Sequence, residues 1–279
     1  MYNLANHFKP IIAKPQNTMK YVEISPCPLL KPYIRCFWGS PQPVLKFRKE
    51  AFIPHSTIII PDTCMDIIFD IDYYSNKVSS NFCGINNAPF RIFDINKTTC
   101  ISTFAIRFNF WSVYLFSNIG MKESLNAFID INEYFYDFKS NLETLLIEKT
   151  AMEERIVEVE KYLIKRLSGT KQLNNNIMNA SYFILNAKGL ISVSEICTKV
   201  NISQRQLQRL FLDFIGVSPK KLTDLVRFQN IWKEMHDSPN QNFADISYRY
   251  NYTDQSHFNN DFKKYAGRTP NKALIYAKS

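Results

Sequence analysis

A chain of 279 residues is long enough for two domains at roughly 100–200 residues each. Its 46% apolar and 14% aromatic content excludes wholesale disorder, and no run of about 18 apolar residues exists to span a membrane. The net charge of +9 is uneven, with 19 basic and 17 acidic groups in residues 1–170 against 15 and 8 in 171–279, so an anionic partner is expected for the second part, nucleic acid ahead of a membrane surface.

In chain order, Met1–Lys20 lacks the apolar core of a signal peptide, which points to a cytoplasmic protein. The Pro-rich stretches 26–32 and 41–43 read as loops. Thr57–Ile60 and Asp66–Ile71 are short β-branched runs around Pro61-Asp62-Thr63-Cys64, the pattern of a hairpin with a four- or five-residue loop. Ile101–Phe110 alternates in part and reads as a further strand. The spacing suits a small barrel or sandwich better than a parallel sheet with helices on both faces.

Helical signals follow. Leu115–Phe128 reads as a short helix. Ser140-x-x-Glu143 and Thr150-x-x-Glu153 match the capping box, in which a hydroxyl and a Glu each satisfy an orphan amide. Two helices, about 140–149 and 150–168, are expected. The stripe of Ile156, Val159, Leu163 and Leu167 has two possible partners, the β-rich part or a second subunit. Polar Gly169–Asn176 reads as a linker between domains 1–170 and 171–279. Beyond it, Ile177–Ala187, a helix opened by Ser192-x-x-Glu195, another opened by Ser203-x-x-Gln206, and a longer one begun at Ser218-Pro219 make an all-helical segment.

That segment contains a repeat at about 50 residues. Ile196-Cys197-Thr198-Lys199-Val200-Asn201-Ile202-Ser203, Leu207, Phe211 and Gly216-Val217-Ser218-Pro219 match Ile246-Ser247-Tyr248-Arg249-Tyr250-Asn251-Tyr252-Thr253, Phe258, Phe262 and Gly267-Arg268-Thr269-Pro270. The offset is 50 up to the Ser/Thr and 51 beyond it. A small residue where two helices cross (Cys197, Ser247), an Asn able to turn left-handed, then a Ser/Thr cap and an apolar i, i+4 face make a helix-turn-helix. Leu207, Leu210, Phe211, Phe258 and Phe262 are expected inside. The opposite faces carry Gln204, Arg205, Gln208 and Arg209 in one copy, and Asp254, Gln255, Ser256, His257, Asn259 and Asn260 in the other. Arg can hold guanine O6/N7, and Asn or Gln adenine N6/N7. A helix from Pro219 to His236, about 27 Å at 1.5 Å per residue, could set the two readers about one DNA turn apart.

Residues 177–274 resemble the DNA-binding domain of the AraC/XylS family of bacterial transcription regulators. The resemblance rests above all on Ala244-Asp245-Ile246, Tyr252-Thr253-Asp254-Gln255-Ser256-His257-Phe258, Phe262-Lys263-Lys264, Gly267 and Thr269-Pro270. Asn251 replaces the family's usual Gly, and Asn260 its usual Arg or Lys. The resemblance implies base contacts at Arg205, Gln208, Arg209, Gln255, Ser256, Asn259 and Asn260. It implies phosphate contacts at Ser203, Gln204, Thr253, His257, Lys263 and Lys264. More loosely, Ile60–Phe69, Cys83-Gly84 and Ile106-Arg107-Phe108 resemble a β-rich sensor-type domain carried by some family members. The expected fold class is α+β: a β-rich barrel or sandwich-like domain with trailing helices, then an all-α domain whose two helix-turn-helix motifs are joined by a long helix. The expected function is a sequence-specific regulator, more often an activator, with double-stranded DNA as partner and RNA polymerase contact implied. A small-molecule effector, of a kind the residues do not specify, and a homodimer are open to it.

No catalytic set, cofactor motif or metal site is legible, so an enzyme is not expected. The six cysteines (27, 36, 64, 83, 100 and 197) contain no C-x-x-C, and the spacings 9, 28, 19 and 17 do not match the cysteine-zinc repair domain of some family members. His55 and the carboxylates Asp62, Asp66, Asp70 and Asp72 read as structural, and Phe37, Trp38, Phe104, Phe108, Phe110 and Trp111 as core. The competing reading is an enzymatic or redox-sensing first domain carried to DNA by the second.

Overall fold

The computed structural model describes Leu4 and residues 21–41, 56–93, 101–169, 171–238 and 242–278. In its first half the β-branched and aromatic runs pair into two antiparallel sheets. Strands β1 (Val22–Ile24), β2 (Ile34–Gly39), β4 (Cys64–Asp72), β5 (Lys77–Cys83), β7 (Ile101–Asn109) and β8 (Phe128–Asp130) form one, in the order β1-β2-β7-β4-β5-β8. Strands β3 (Ser56–Ile59) and β6 (Phe90–Phe93) form the other. The central pair sets Asp66 opposite Arg107, Ile67 opposite Ile106 and Phe69 opposite Phe104. Because strand side chains alternate, Met65, Ile67, Phe69 and Ile71 share one buried face with Phe104, Ile106 and Phe108.

On the other face Asp66 sits in a charged cluster. Arg107 Nε and Nη2 donate to its carboxylate at 2.9 and 3.2 Å, and Trp38 Nε1 donates to it at 2.9 Å. The guanidinium lies 5.5 Å from the Trp38 ring centre. Burial pushes the Arg107 pKa down, but Asp66 and Asp62 more than reverse this, so the side chain is held charged. Burial pushes the Asp62 carboxyl and the Cys36, Cys64 and Cys83 thiols up, which keeps the thiols protonated and unreactive. These cysteines are free, and Phe37, Phe104, Phe108, Phe110 and Trp111 are core, with Trp38 half-buried. His7, His55, Cys100 and Gln42-Pro43 lie outside the described residues.

Three expectations need correction. The runs at 57–60 and 66–71 are strands, but not a hairpin: β3 pairs with β6, and β4 with β5 and β7. Pro61 cannot donate to a ladder, and Asp62 Oδ1 takes the Cys64 amide at 2.7 Å, so the chain crosses there from one sheet to the other. No helix covers 115–128. A single 3-10 turn, Val113–Leu115, is followed by turns in which Glu123 and Asn126 have positive φ, and the segment ends in β8. The capping boxes at Ser140 and Thr150 do not form. Helix α1 (Phe138–Glu148) starts earlier because Phe138 is buried, and Glu143 instead accepts the Ser80 hydroxyl at 2.8 Å. Helix α2 (Met152–Leu167) starts after Ala151, with no side-chain cap. The stripe of α2 is used inside this chain: Met152, Ile156, Val159 and Leu163 join the same core as Leu142, Leu146 and the sheet.

The remainder is helical: α3 (Asn175–Asn186), α4 (Val193–Val200), α5 (Gln204–Ile215), α6 (Pro219–Asp237), α7 (Phe243–Arg249), α8 (Gln255–Ala266) and α9 (Pro270–Lys278). At the start of α4 the capping box is present in both directions, Glu195 N to Ser192 Oγ at 3.2 Å and Ser192 N to Glu195 Oε2 at 2.8 Å. Ser192→Ala is expected to cost about 1 kcal/mol. Urea unfolding followed by helix circular dichroism checks this, and an unchanged midpoint would show the box to be idle. Buried Leu222, Leu225, Val226, Phe228, Ile231, Trp232 and Met235 run the length of α6, and Phe262 of α8 closes on Phe228 and Trp232 with Phe258 packed behind it. No helix among the described residues is long and apolar enough to cross a membrane.

Candidate nucleic-acid interface

The first motif is α4, a turn and α5. Asn201 takes the left-handed conformation, φ 54° and ψ 47°, which reverses the chain without a Gly. Ser203 then caps α5 through the Gln206 amide at 3.2 Å. Leu207, Phe211 and Ile215 are buried, and Leu210 is half-buried. Gln204, Arg205, Gln206, Gln208 and Arg209 are all exposed. Arg205 and Arg209 make no hydrogen bond or ion pair with any described residue. Where α4 meets the start of α5, an open groove of about 530 Å³ is lined by Ser194, Cys197, Thr198, Asn201, Ile202, Ser203, Gln204 and Gln206. Ser194 and Thr198 went unnoticed in the sequence. Their i, i+4 spacing, which puts two hydroxyls on the α4 face beside the cap, was the available signal.

The second motif is α7, a turn and α8. Asn251 is again left-handed, φ 58°, and Ser247 is buried. The extra residue falls at the cap. Thr253 does not cap α8; Asp254 does, through the His257 amide at 2.8 Å. The Thr253 hydroxyl lies instead 3.1 Å from His257 Nδ1 and 3.4 Å from Asp254 Oδ2. Gln255, Ser256, His257 and Asn260 are exposed and Asn259 half-buried. Below them, Asp261 binds Arg227, Lys264 and the Tyr252 hydroxyl at 3.1, 3.1 and 2.7 Å. Burial pushes this carboxyl up, but the three partners outweigh it and leave it below the usual range. Arg227 also lies 4.8 Å over the Tyr252 ring, which ties α6 to the turn of the second motif.

The structure therefore groups Ser203, Gln204, Arg205, Gln208 and Arg209 on one exposed surface, and Thr253, Gln255, Ser256, His257, Asn259 and Asn260 on another. Lys263 is exposed one turn further along α8. Lys264 is set apart: it is held by Asp261 and borders the junction with the sheet domain.

The Helix-turn-helix domain family model matches residues 196–274, the span that holds both motifs. Residues 196–274 are an AraC-type helix-turn-helix domain. The model for Domain of unknown function (DUF6597) matches residues 22–130. No curated protein matches the chain in sequence. Among solved structures, the chain is similar to ToxT from Vibrio cholerae O395 at 15% identity and a TM-score of 0.42, over 81% of this chain and 95% of that one. It is similar to a probable AraC family transcriptional regulator from Rhodopseudomonas palustris CGA009 at 20% identity and a TM-score of 0.33, over 37% and 98%. It is also similar to the xylose-binding transcription activator xylR at 16% identity and a TM-score of 0.34, over 45% and 38%.

The sheet domain holds the AraC-type domain at α5, α6 and α9. At the C-terminal end of α5, the Asp213 carbonyl accepts the Met121 amide at 2.8 Å, and the Phe214 ring meets Tyr114 edge-on at 4.7 Å. The Gln229 amide of α6 donates to the Pro61 carbonyl, and the Ile58 amide donates to the Tyr276 hydroxyl of α9 at 3.1 Å. A cavity of about 200 Å³ lies between the domains, bordered by Ile85–Asn87, Leu125, Val217, Lys221, Leu222, Leu225, Lys264 and Tyr265.

Proposed function

We propose that this chain is a sequence-specific transcription regulator whose two motifs read adjacent major grooves of one duplex. The observation that carries the reading is the pairing of two similar turns, each followed by a helix with its apolar side buried and its polar side exposed. In the first, Arg205 and Arg209 stand without partners among the described residues, as groups destined for an external acceptor do. Helix α6, about 28 Å over its 19 residues, supports a spacing near one DNA turn. Base contacts are assigned to Arg205, Gln208, Arg209, Gln255, Ser256, Asn259 and Asn260, and phosphate contacts to Ser203, Gln204, His257 and Lys263.

Residues 1–170 form the modulating part and 171–279 the reading part. The cavity at the junction supports modulation, since an occupant there would touch α6, α8 and the sheet domain at once. Activation, RNA polymerase contact, a small-molecule effector, a homodimer and a place in the cytoplasm belong to the same reading, and catalysis does not.

Selection of genomic fragments with the purified chain gives the cognate site. On that site Arg209→Ala is expected to cost about 1–3 kcal/mol, with little loss on random DNA. Equal losses on both would make Arg209 a phosphate contact. Failure to select any sequence would overturn the reading.

A further inference from the structure

The two motifs differ most at the first turn of their second helices. Helix α5 is capped by the neutral Ser203, has no acidic residue in its first turn, and shows two guanidiniums, Arg205 and Arg209, without partners among the described residues. Helix α8 is capped by the carboxylate of Asp254, exposed at the tip, and meets its first lysine only at Lys263. The bond from the His257 amide, helped by the Ser256 amide and the Thr253 hydroxyl, holds the Asp254 pKa below the usual range, so the cap is ionised at neutral pH. An ionised cap takes the place a DNA phosphate would need. It satisfies the amides a phosphate would bind, offsets the positive end of the helix dipole, and repels the duplex backbone.

We propose that Asp254 is an affinity-setting residue that weakens phosphate binding at the tip of the second motif's helix, leaving that motif's backbone contacts to the His257 and Lys263 side chains. This inference rests on the DNA-reading function proposed above. The first motif then supplies most of the sequence-independent attraction. The second adds base discrimination through the uncharged Gln255, Ser256 and Asn259, without raising affinity for arbitrary DNA. Like-charge repulsion acts on every duplex, whereas the base contacts that offset it exist only on the cognate site. The carboxylate therefore lowers affinity for right and wrong sequences by a similar factor, so that random DNA is held weakly while the cognate site keeps its base contacts.

The test is Asp254→Asn in the full chain. Asn caps a helix as well as Asp does, so folding is retained, and a thermal melt checks this. Binding is measured on the selected site and on random DNA from low to moderate salt. For Asp254→Asn, affinity for random DNA should rise about two- to fivefold, the scale of one charge at a helix end. The slope of log K against log salt should steepen by up to about 0.9, one phosphate no longer repelled, while the specific-to-random ratio changes by less than about twofold. The mirror change, Ser203→Asp, should weaken binding to both DNAs and flatten the slope. If the parent binds DNA but Asp254→Asn leaves random binding and slope unchanged, this inference fails while the DNA-reading function stands. If the parent binds no DNA, both fail.

Discussion

Gly216→Val should loosen the junction between the sheet domain and the first reader, lowering stability by about 3 kcal/mol or more. Two costs add. Gly216 ends α5 with φ 81°, a left-handed conformation that costs a side-chain-bearing residue about 1–3 kcal/mol. A Cβ there would also stand 1.9 Å from Ser124 Oγ and 2.4 Å from the Met121 carbonyl oxygen, on the loop that binds Asp213. The hydroxyl can turn away, but the carbonyl is backbone and must move. Gly267, in the equivalent place after α8, is the internal control. It has φ 68°, yet among the described residues a Cβ would meet nothing nearer than the Pro89 ring, Cγ at 3.2 Å and Cβ at 3.8 Å. Gly267→Val should therefore show mainly the backbone cost. Thermal unfolding separates the two, at about 2–4 °C per kcal/mol for chains of this size. Protease cleavage near residues 117–125 should accelerate only for Gly216→Val. Equal losses at both glycines would mean that the junction contact contributes nothing.

The second large effect is expected at Asp66. Asp66→Ala leaves the buried Arg107 guanidinium and the Trp38 N–H without their acceptor. Breaking a buried pair from one side costs about 3–5 kcal/mol, because the desolvated charge remains. Glu23, 3.7 Å from Arg107 Nη1, recovers part of it, so the lower end of that range is expected. Removing both charges, Asp66→Leu with Arg107→Met, should recover most of the loss, since the desolvation cost of the pair disappears with it. Urea midpoints of the two variants decide the matter. A loss under about 1 kcal/mol for Asp66→Ala would show that the cluster is wet and weakly coupled.

Most of the helical domain was legible because its determinants are local. The Asn201 turn, the Ser203 cap and the Leu207 and Phe211 spacing all lie within about a dozen residues, and each has a single structural meaning there. The repeat doubled the signal. The second cap was misread because Thr253 and Asp254 are both good cap residues. The choice between them depends on where the α8 helix must start for Phe262 to reach Trp232 and Phe228 and for Phe258 to reach Tyr252 and Phe243. The capping box at Ser140 failed for a related reason: burial of Phe138 extends α1 backwards, and Ser80 claims Glu143.

Strand identity in the first half was legible from β-branched runs, but strand partners were not. Thr57–Ile60 and Asp66–Ile71 look like a hairpin because neighbours usually pair, yet Pro61 and the Asp62 turn send them into different sheets.

The chain's own spacing decided that two turn-and-helix readers exist and which of their faces stays wet, since a 3.6-residue period ties each side chain to one face of its helix. Tertiary structure alone decided which strands pair, that the α2 stripe is spent within the chain, and that the sheet domain holds the end of the first reading helix. Those outcomes depend on residues far apart in sequence competing for the same buried surface, and no local pattern records who wins.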